Sequence, residues 1–399
     1  MFACLEYMPK SLPSIKDVCN NCTMHGAGNP DLVIRYEKSA RGSEIMQSPE
    51  TEQDIISDLG IHRVIEPQGS LPQPAWKLDN TPVARASETL VNVQALHIDS
   101  ASFTQIAQAC ERDTARMSKH ILEIVAQRGK MHNPITGSGG VLIGAIEQLD
   151  EAFATKHGLT KGDTIVSLTS LSWLPLYLER IRAIHPQRCE LEVEGKAIFF
   201  RGNPVARLPQ DLPRAIVVAA LDVAGAPARV AALAQPGQRV TLLGAGGTAG
   251  LLTLCALRQR LGSAGEIIAV EYNQQALHDI VTLGAADIIV QGDATRPLEI
   301  VERVRAACGF RDYEADLAIN VVNVPNTEFA TILLTRPQGR ILFFSMATSF
   351  TVAALGAEGM ARQVEMHIGN GYMPDQGTIA LQLLRDYSTL RTIFTRRFG

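Results

Sequence analysis

Residues 239–250 read RVTLLGAGGTAG. Val240, Leu242 and Leu243 form an apolar run of the kind found in strands buried on both faces. Gly244, Gly246 and Gly247 come next, and from Thr248 to Leu261 the apolar spacing becomes helical. Strand, glycine turn and helix in immediate succession are the entry of a dinucleotide-binding unit. Read as G-x-G-x-x-A, Gly244 makes the tight turn and Gly246 lets the backbone approach a pyrophosphate. Ala249 or Gly250 then lets the helix sit close to the sheet. Amides at the helix start, from Gly247 and Thr248 onward, offer an anion site aligned with the helix dipole.

A glycine loop alone is often only a turn, so its surroundings decide. Glu271 ends the next strand, EIIAVE (266–271), where a carboxylate accepts both ribose hydroxyls and repels a 2′-phosphate. That predicts a nicotinamide cofactor, and NAD over NADP. Beyond it, QQALHDIVTLG (274–284) reads as helix and DIIVQ (287–291) as strand. LEIVERVRAAC (298–308) is again a helix, with DLAINVV (316–322) and GRILFFS (339–345) as strands. This alternation predicts an α/β fold, a doubly wound parallel sheet of Rossmann type covered on both faces. Asn320, Asn323 and Ser345 fall at C-terminal strand ends, where such sheets bind ligands, and are expected to touch ribose or nicotinamide.

Upstream the rhythm differs. LVNVQALHI (90–98), GGVLIGAIEQL (139–149), GDTIVSL (162–168) and KAIFF (196–200) read as strands of a β-rich domain. One helix is expected over residues 103–128, capped by Ser102 or Thr104. The expected division is an N-terminal extension over 1–50, a catalytic domain over 51–215 and 346–399, and the dinucleotide domain over 216–345. The last fifty residues, with VEMHIGNG (364–371) and ALQLLRDY (380–387), are thus expected to return to the first domain. Residues 1–50 lack sustained periodicity and are expected to be loosely ordered or an arm, with Met46 resembling a natural start.

The chain has 399 residues, a net charge of −4 and seven cysteines. The charge gives no basic footprint for nucleic acid or an anionic membrane. The odd, scattered cysteines fit reduced thiols, and the longest apolar runs, such as Ala215 to Val223, are too short to span a bilayer. With no signal-like start, the expectation is a cytoplasmic protein. Trp76 and Trp173 read as packing residues.

LGAADIIV (283–290), DLAINVVN (316–323) and GLTKGDTIV (158–166) resemble medium-chain dehydrogenases/reductases, which implies a GroES-like catalytic domain beside the Rossmann half. The zinc ligands of that superfamily's alcohol dehydrogenases are missing. GSGGVLIGAIE (137–147) lacks the Gly-His-Glu segment, HIDSASF (97–103) lacks the first cysteine, and LDVAGAP (221–227) has Asp222 where a third ligand would stand. A lone Cys19-x-x-Cys22 is weak, so no metal is expected. Longer runs, among them RGKMHNPITGSGGVLIG (128–144), NVVNVPNTE (320–328), FFSMATSF (343–350) and IGNGYMPDQG (368–377), resemble the L-erythro-3,5-diaminohexanoate dehydrogenase family over about residues 59–395.

That resemblance implies NAD-dependent oxidative deamination at C3 of a diamino acid, in lysine fermentation, by a homodimer. Two ammonium groups call for carboxylates, and Asp99 and Asp222 sit where related enzymes present ligands beside the nicotinamide. One would hold the C5 ammonium and the other take the C3 proton, its pKa raised by desolvation. Ser102 and Asn133, with Ser100, Thr136 and Ser138, are candidates to orient the substrate. His132 is a candidate proton shuttle and Lys130 a candidate partner for the substrate carboxylate. Asn370, Gly371 and Tyr372 are expected to complete the cleft. Two alternatives remain open at this point: a zinc-free quinone or enoyl reductase, and a nucleotide-binding protein without turnover.

Overall fold

The computed structural model describes residues 58–309, 313–369 and 371–399. The expected arm over residues 1–50, the Cys19–Cys22 pair and Asn370 lie outside them. Strands β1 (Val64–Glu66) and β2 (Lys77–Leu78) pair with each other. The strands β3 (Glu88–His97), β4 (Val141–Gln148), β5 (Thr164–Ser167), β6 (Leu176–His185), β7 (Glu190–Phe200) and β8 (Val205–Arg207) form one antiparallel sheet in the order β6-β7-β3-β4-β5-β8. The central strand β3 is buried nearly throughout, so its apolar pattern was legible. Strand β6, LYLERIRAIH, is an edge strand with few buried residues, and its charged sequence hid it.

Two helices replace the single one expected over 103–128. Ser100–Ala109 is capped by Asp99, and Thr114–Arg128 by Asp113, whose carboxylate accepts from the amides of Ala115 and Arg116. Between them Glu111 and Arg112 adopt φ of 55° and 60°, which breaks the helical run. The second cap outweighs the continuous apolar spacing, since an Asp cap satisfies amides that otherwise lack partners.

The strands β9 (Arg239–Leu243), β10 (Glu266–Glu271), β11 (Ile288–Gln291), β12 (Ala315–Asn320), β13 (Thr335–Phe343) and β14 (Glu365–Ile368) form the second sheet, all neighbours parallel. Their order is β11-β10-β9-β12-β13-β14. The strand order runs outward in opposite senses from β9 and β12, and this switch point leaves a crevice beyond the strand ends, as in doubly wound sheets. The expected return of residues 346–399 to the first domain is corrected in part. Strand β14 extends the parallel sheet beside β13, and helices Gln376–Asp386 and Ser388–Phe398 pack mainly on the helices flanking that sheet. VEMHI was misplaced because a short edge strand carries no mark of which sheet it joins.

A continuous core links the two sheets: Ala95, Val141, Ile143 and Val166 cluster with Ile216, Val240 and Leu251. Helix Arg214–Asp222, almost wholly apolar, lies in this core and ends at Asp222. No single helix among the described residues is long and apolar enough to cross a membrane.

Candidate active site

The glycine loop takes the shape its sequence requires. Gly244 has φ +80°, and a Cβ on Gly250 would stand 2.3 Å from the Gly244 carbonyl oxygen, so Gly250, not Ala249, is the close-packing position. A Cβ on Gly246 would lie 2.6 Å from Ala276 Cβ and 3.0 Å from Glu271 Oε2. The Gly246 amide donates to Glu271 Oε2 at 2.9 Å, and the amides of Tyr272 and Asn273 donate to Oε1. Three backbone donors therefore hold this carboxylate at the end of β10. Helix Thr248–Leu261 begins at the loop with Gly247 as N-cap and no side-chain cap, leaving its first amides for an anion.

Around the loop lies a cleft of about 650 Å³ lined by Gly244, Gly246, Gly247, Glu271, Val322 and Asn323, together with Asn273 and Gln275. Five sequence-predicted residues thus converge there, with Thr248 and Ala249 at the helix start behind them. Two do not. Asn320 is fully buried and donates to Thr327 Oγ1 and Thr331 Oγ1 while accepting from the Val322 amide, so it shapes the turn without facing the cleft. Ser345 Oγ accepts from the Ala347 amide in a turn after β13. Asp279, Arg396 and Arg397 also line the cleft, and sequence reading missed all three. They come from two helices more than a hundred residues apart, and charge at a helix end carries no sign of what it folds against.

A second cluster forms where β3 meets the end of helix Arg214–Asp222. Asp99 is fixed as the N-cap of its helix, Oδ1 accepting from the Ser102 amide at 2.9 Å. Its other oxygen, Oδ2, is buried without a partner. Asp222, with a side chain 19% exposed, lies 3.8 Å from His97 Nε2. Burial pushes the Asp222 carboxyl up and the Asp99 charge adds to this, while His97 works against both. Cys189 sits beside both carboxylates and bonds Ser100, and burial raises its thiol to about 11. Asp99, Asp222 and Ser100 are legible from sequence as candidates, whereas His97 and Cys189 are not. The interval between residues 97 and 189 hid that cluster, because it is closed only by pairing of β3 with β7.

Of the remaining candidates, Ser102, Asn133 and Thr136 frame this cluster, while Lys130 and His132 belong to a separate cationic group. Ser102 Oγ bonds Thr136 Oγ1, and Asn133 Nδ2 donates to Gln105 Oε1 at 2.9 Å while its oxygen accepts from the Ile135 amide. These bonds clamp the 133–138 turn onto the helix that Asp99 caps. Lys130 is fully buried and donates to the carbonyls of Pro72 and Gln73; burial and nearby Arg128 push it down to about 7. Burial, then Lys130 and Arg128, push His132 down to about 4, so its imidazole is neutral at physiological pH, and its charged neighbours are those cations, not the aspartates. Trp76 is half exposed and stacks under Arg128, 4.5 Å from the ring centroid. Among the described residues no three His, Cys, Asp or Glu side chains are arranged to hold a metal ion.

Residues 62–209 match the family model of the L-erythro-3,5-diaminohexanoate dehydrogenase N-terminal domain. A protein of Acetoanaerobium sticklandii named L-erythro-3,5-diaminohexanoate dehydrogenase is 46% identical over 339 residues, covering 85% of this chain and 98% of its own. One of the same name from Fusobacterium nucleatum is 46% identical over 335 residues, covering 84% and 96%. Among solved structures, CurK enoyl reductase aligns with TM-score 0.47 at 16% identity over 78% of this chain and 83% of that one. A mycobacterial quinone oxidoreductase aligns with TM-score 0.46 at 13% identity over 80% and 83%. Identity at this level across nearly the whole length of both named relatives shows that the chain belongs to the L-erythro-3,5-diaminohexanoate dehydrogenase family.

Proposed function

We propose that this protein catalyses NAD-dependent oxidative deamination of L-erythro-3,5-diaminohexanoate at C3, giving 5-amino-3-oxohexanoate, ammonia and NADH. The observation that carries the reading is the pair Asp99 and Asp222. Glu88 is paired with Arg63, and Asp279 with Arg396 and Arg397, while buried Glu328 accepts from the Ser349 amide on one oxygen and lies outside this cluster. Asp99 and Asp222 have no Lys or Arg partner among the described residues, and one Asp99 oxygen is buried and unsatisfied. An unpaired buried charge is costly, so this cluster is shaped for a cation that arrives with the substrate. An apolar enone would leave both carboxylates unpaired, which disfavours the reductase alternative.

The glycine cradle, the uncapped helix start and the ribose-accepting Glu271 fit a nicotinamide dinucleotide. Glu271 favours NAD, since its charge opposes a 2′-phosphate. When bound, the cofactor supplies the hydride acceptor. Asp99, held by the Ser102 amide, anchors the C5 ammonium. Asp222, whose raised pKa makes it the better base, takes a proton from the C3 ammonium and frees the nitrogen lone pair. That lone pair drives loss of hydride from C3, and the substrate iminium takes up water and releases ammonia. The proton balance is one released per turnover beyond the ammonium formed. His97, beside Asp222, stands where the proton leaves.

We place this reaction in lysine fermentation, in the cytoplasm, and infer a homodimer, for which the open edge of β14 offers a pairing surface. The test is absorbance at 340 nm with purified protein, NAD and the diamino acid at mildly alkaline pH, with ammonia measured in parallel. NADH and ammonia formed in equal amounts are expected. Tight NADH binding with no turnover of the diamino acid, or turnover of an enone instead, would overturn the proposal. Light scattering during size-exclusion chromatography should give twice the chain mass.

A further inference from the structure

The dinucleotide cleft has an acidic floor and a borrowed pair of cations. Among its lining residues the charged ones are Glu271, Asp279, Arg396 and Arg397. Without the arginines the cleft would present two negative charges to a ligand whose diphosphate carries two of its own. No lysine or arginine occurs in the glycine loop, Gly244 to Gly250. Helix Ser388–Phe398 supplies the compensation from its last turn. Arg397 donates from a terminal nitrogen to the Gly246 carbonyl at 2.9 Å and from Nε to Asp279 Oδ2 at 2.9 Å. Arg396 also bonds Asp279, whose side chain is 1% exposed, but half of the Arg396 side chain remains open to solvent.

We propose that this arginine pair completes the cofactor site. Arg397 is a positioning residue that ties the glycine loop, through the Gly246 carbonyl, to the helix carrying Asp279. Arg396 is a binding residue for the diphosphate of the dinucleotide. This rests on the nicotinamide reading of the cleft. The geometry explains why Asp279 is buried under two guanidinium groups: it orients both, so that their forks are aimed before the ligand arrives. It also explains how a loop of seven residues without a cation can serve a dianion, since backbone amides supply direction and the arginines supply charge.

The experiment titrates the full chain with NADH and, separately, with ADP-ribose, at low and high salt, alongside thermal melts. Arg396→Ala, at a half-exposed side chain, is the cleanest variant. It is expected to raise the Kd for both ligands about tenfold, to flatten the salt dependence, and to leave the melting temperature close to wild type. Arg396→Lys should recover most of the affinity, because charge matters there more than the fork. Arg397→Ala alone would leave Asp279 short of a partner inside the protein, so the double variant Asp279→Asn/Arg397→Gln tests the anchor. It should lose affinity for both ligands while remaining folded. Unchanged Kd and salt slope in folded Arg396→Ala and in the double variant would overturn the proposal. If wild-type protein binds ADP-ribose but not NADH, the nicotinamide reading fails and the arginine pair stands; if it binds neither, both fall.

Discussion

Gly246→Ala tests how closely the loop, the ribose acceptor and the next helix are coupled. The added methyl would stand 2.6 Å from Ala276 Cβ, where ordinary contact begins at 3.4 Å, so one side must yield by nearly an ångström. Ala276 is attached directly to the backbone of helix Gln274–Leu283 and cannot rotate away. The same methyl lies 3.0 Å from Glu271 Oε2, the atom that accepts from the Gly246 amide. Overpacking of this kind costs about 1–3 kcal/mol. Loss of an amide bond to a charged carboxylate costs roughly 1.5–3 kcal/mol. Part of this appears as lowered stability and part as cofactor affinity. Assigning about half to binding gives roughly 1.3–3 kcal/mol, about an 8- to 150-fold rise in the NADH Kd. Fluorescence titration with NADH, with a thermal melt on the same sample, measures both shares. A Kd within twofold of wild type in a protein with unchanged melting would refute the argument, because it would mean the loop can open without moving Glu271.

Asp222→Asn should lower kcat more than about 100-fold, in line with acid–base contributions, and Asp99→Asn, which removes the anchor for the C5 ammonium, should raise the substrate KM at least about tenfold, both with NADH affinity preserved; near-normal kinetics of either variant would remove that residue from the mechanism. Asp222→Asn should also stabilise the fold, by roughly 0.5–2 kcal/mol at pH 7. Its raised pKa means ionisation is disfavoured in the folded state, so stability is greatest while the group is protonated and falls as pH rises through the folded pKa. Comparing melts of wild type and variant at pH 4 and pH 7 should show the gap widening at pH 7. Glu88 behaves oppositely. Burial pushes its carboxyl up, but hydrogen bonds from Arg63 and His62 prevail and hold it at about 2, against an ordinary 4.5. Its contribution is full above about 4.5 and is lost as pH falls toward 2. Glu88→Gln should cost about 2–4 kcal/mol at neutral pH, since it takes the bidentate carboxylate from the fully buried Arg63 and leaves it Asp79 at 3.5 Å and backbone carbonyls, and denaturant melts at pH 7 and pH 3 should show the deficit shrinking in acid. His132→Asn should leave the pH–activity profile above pH 5 unchanged, because burial and its cationic neighbours keep that imidazole neutral there; a lost limb near pH 6 would restore it as a proton shuttle.

Periodicity and turn chemistry act over a few residues, and wherever the structure is decided at that range the sequence was sufficient. The run from Arg239 to Leu261 specified strand, loop and helix because its glycines answer local demands of backbone geometry. Glu271 could be assigned because the spacing of the β–α–β unit places it within reach of the loop. Asp99 and Asp222 were found through resemblance to positions in related enzymes, and the fold then brought their charges together.

Tertiary structure alone decided the rest. Whether VEMHI joins one sheet or the other depends on which edge is open, a property of the assembled molecule. Asn320 stands at a strand end, as ligand-binding residues do, yet its amide turns inward because Thr327 and Thr331 offer partners that no reading of neighbours along the chain reveals. Cys189 reaches the carboxylates only through strand pairing, and Arg396 and Arg397 reach the glycine loop only because their helix packs beside it. The physical reason is one of range: backbone preference and apolar spacing are local in sequence, whereas the partner of a charge is chosen by whatever packing brings within a few ångströms.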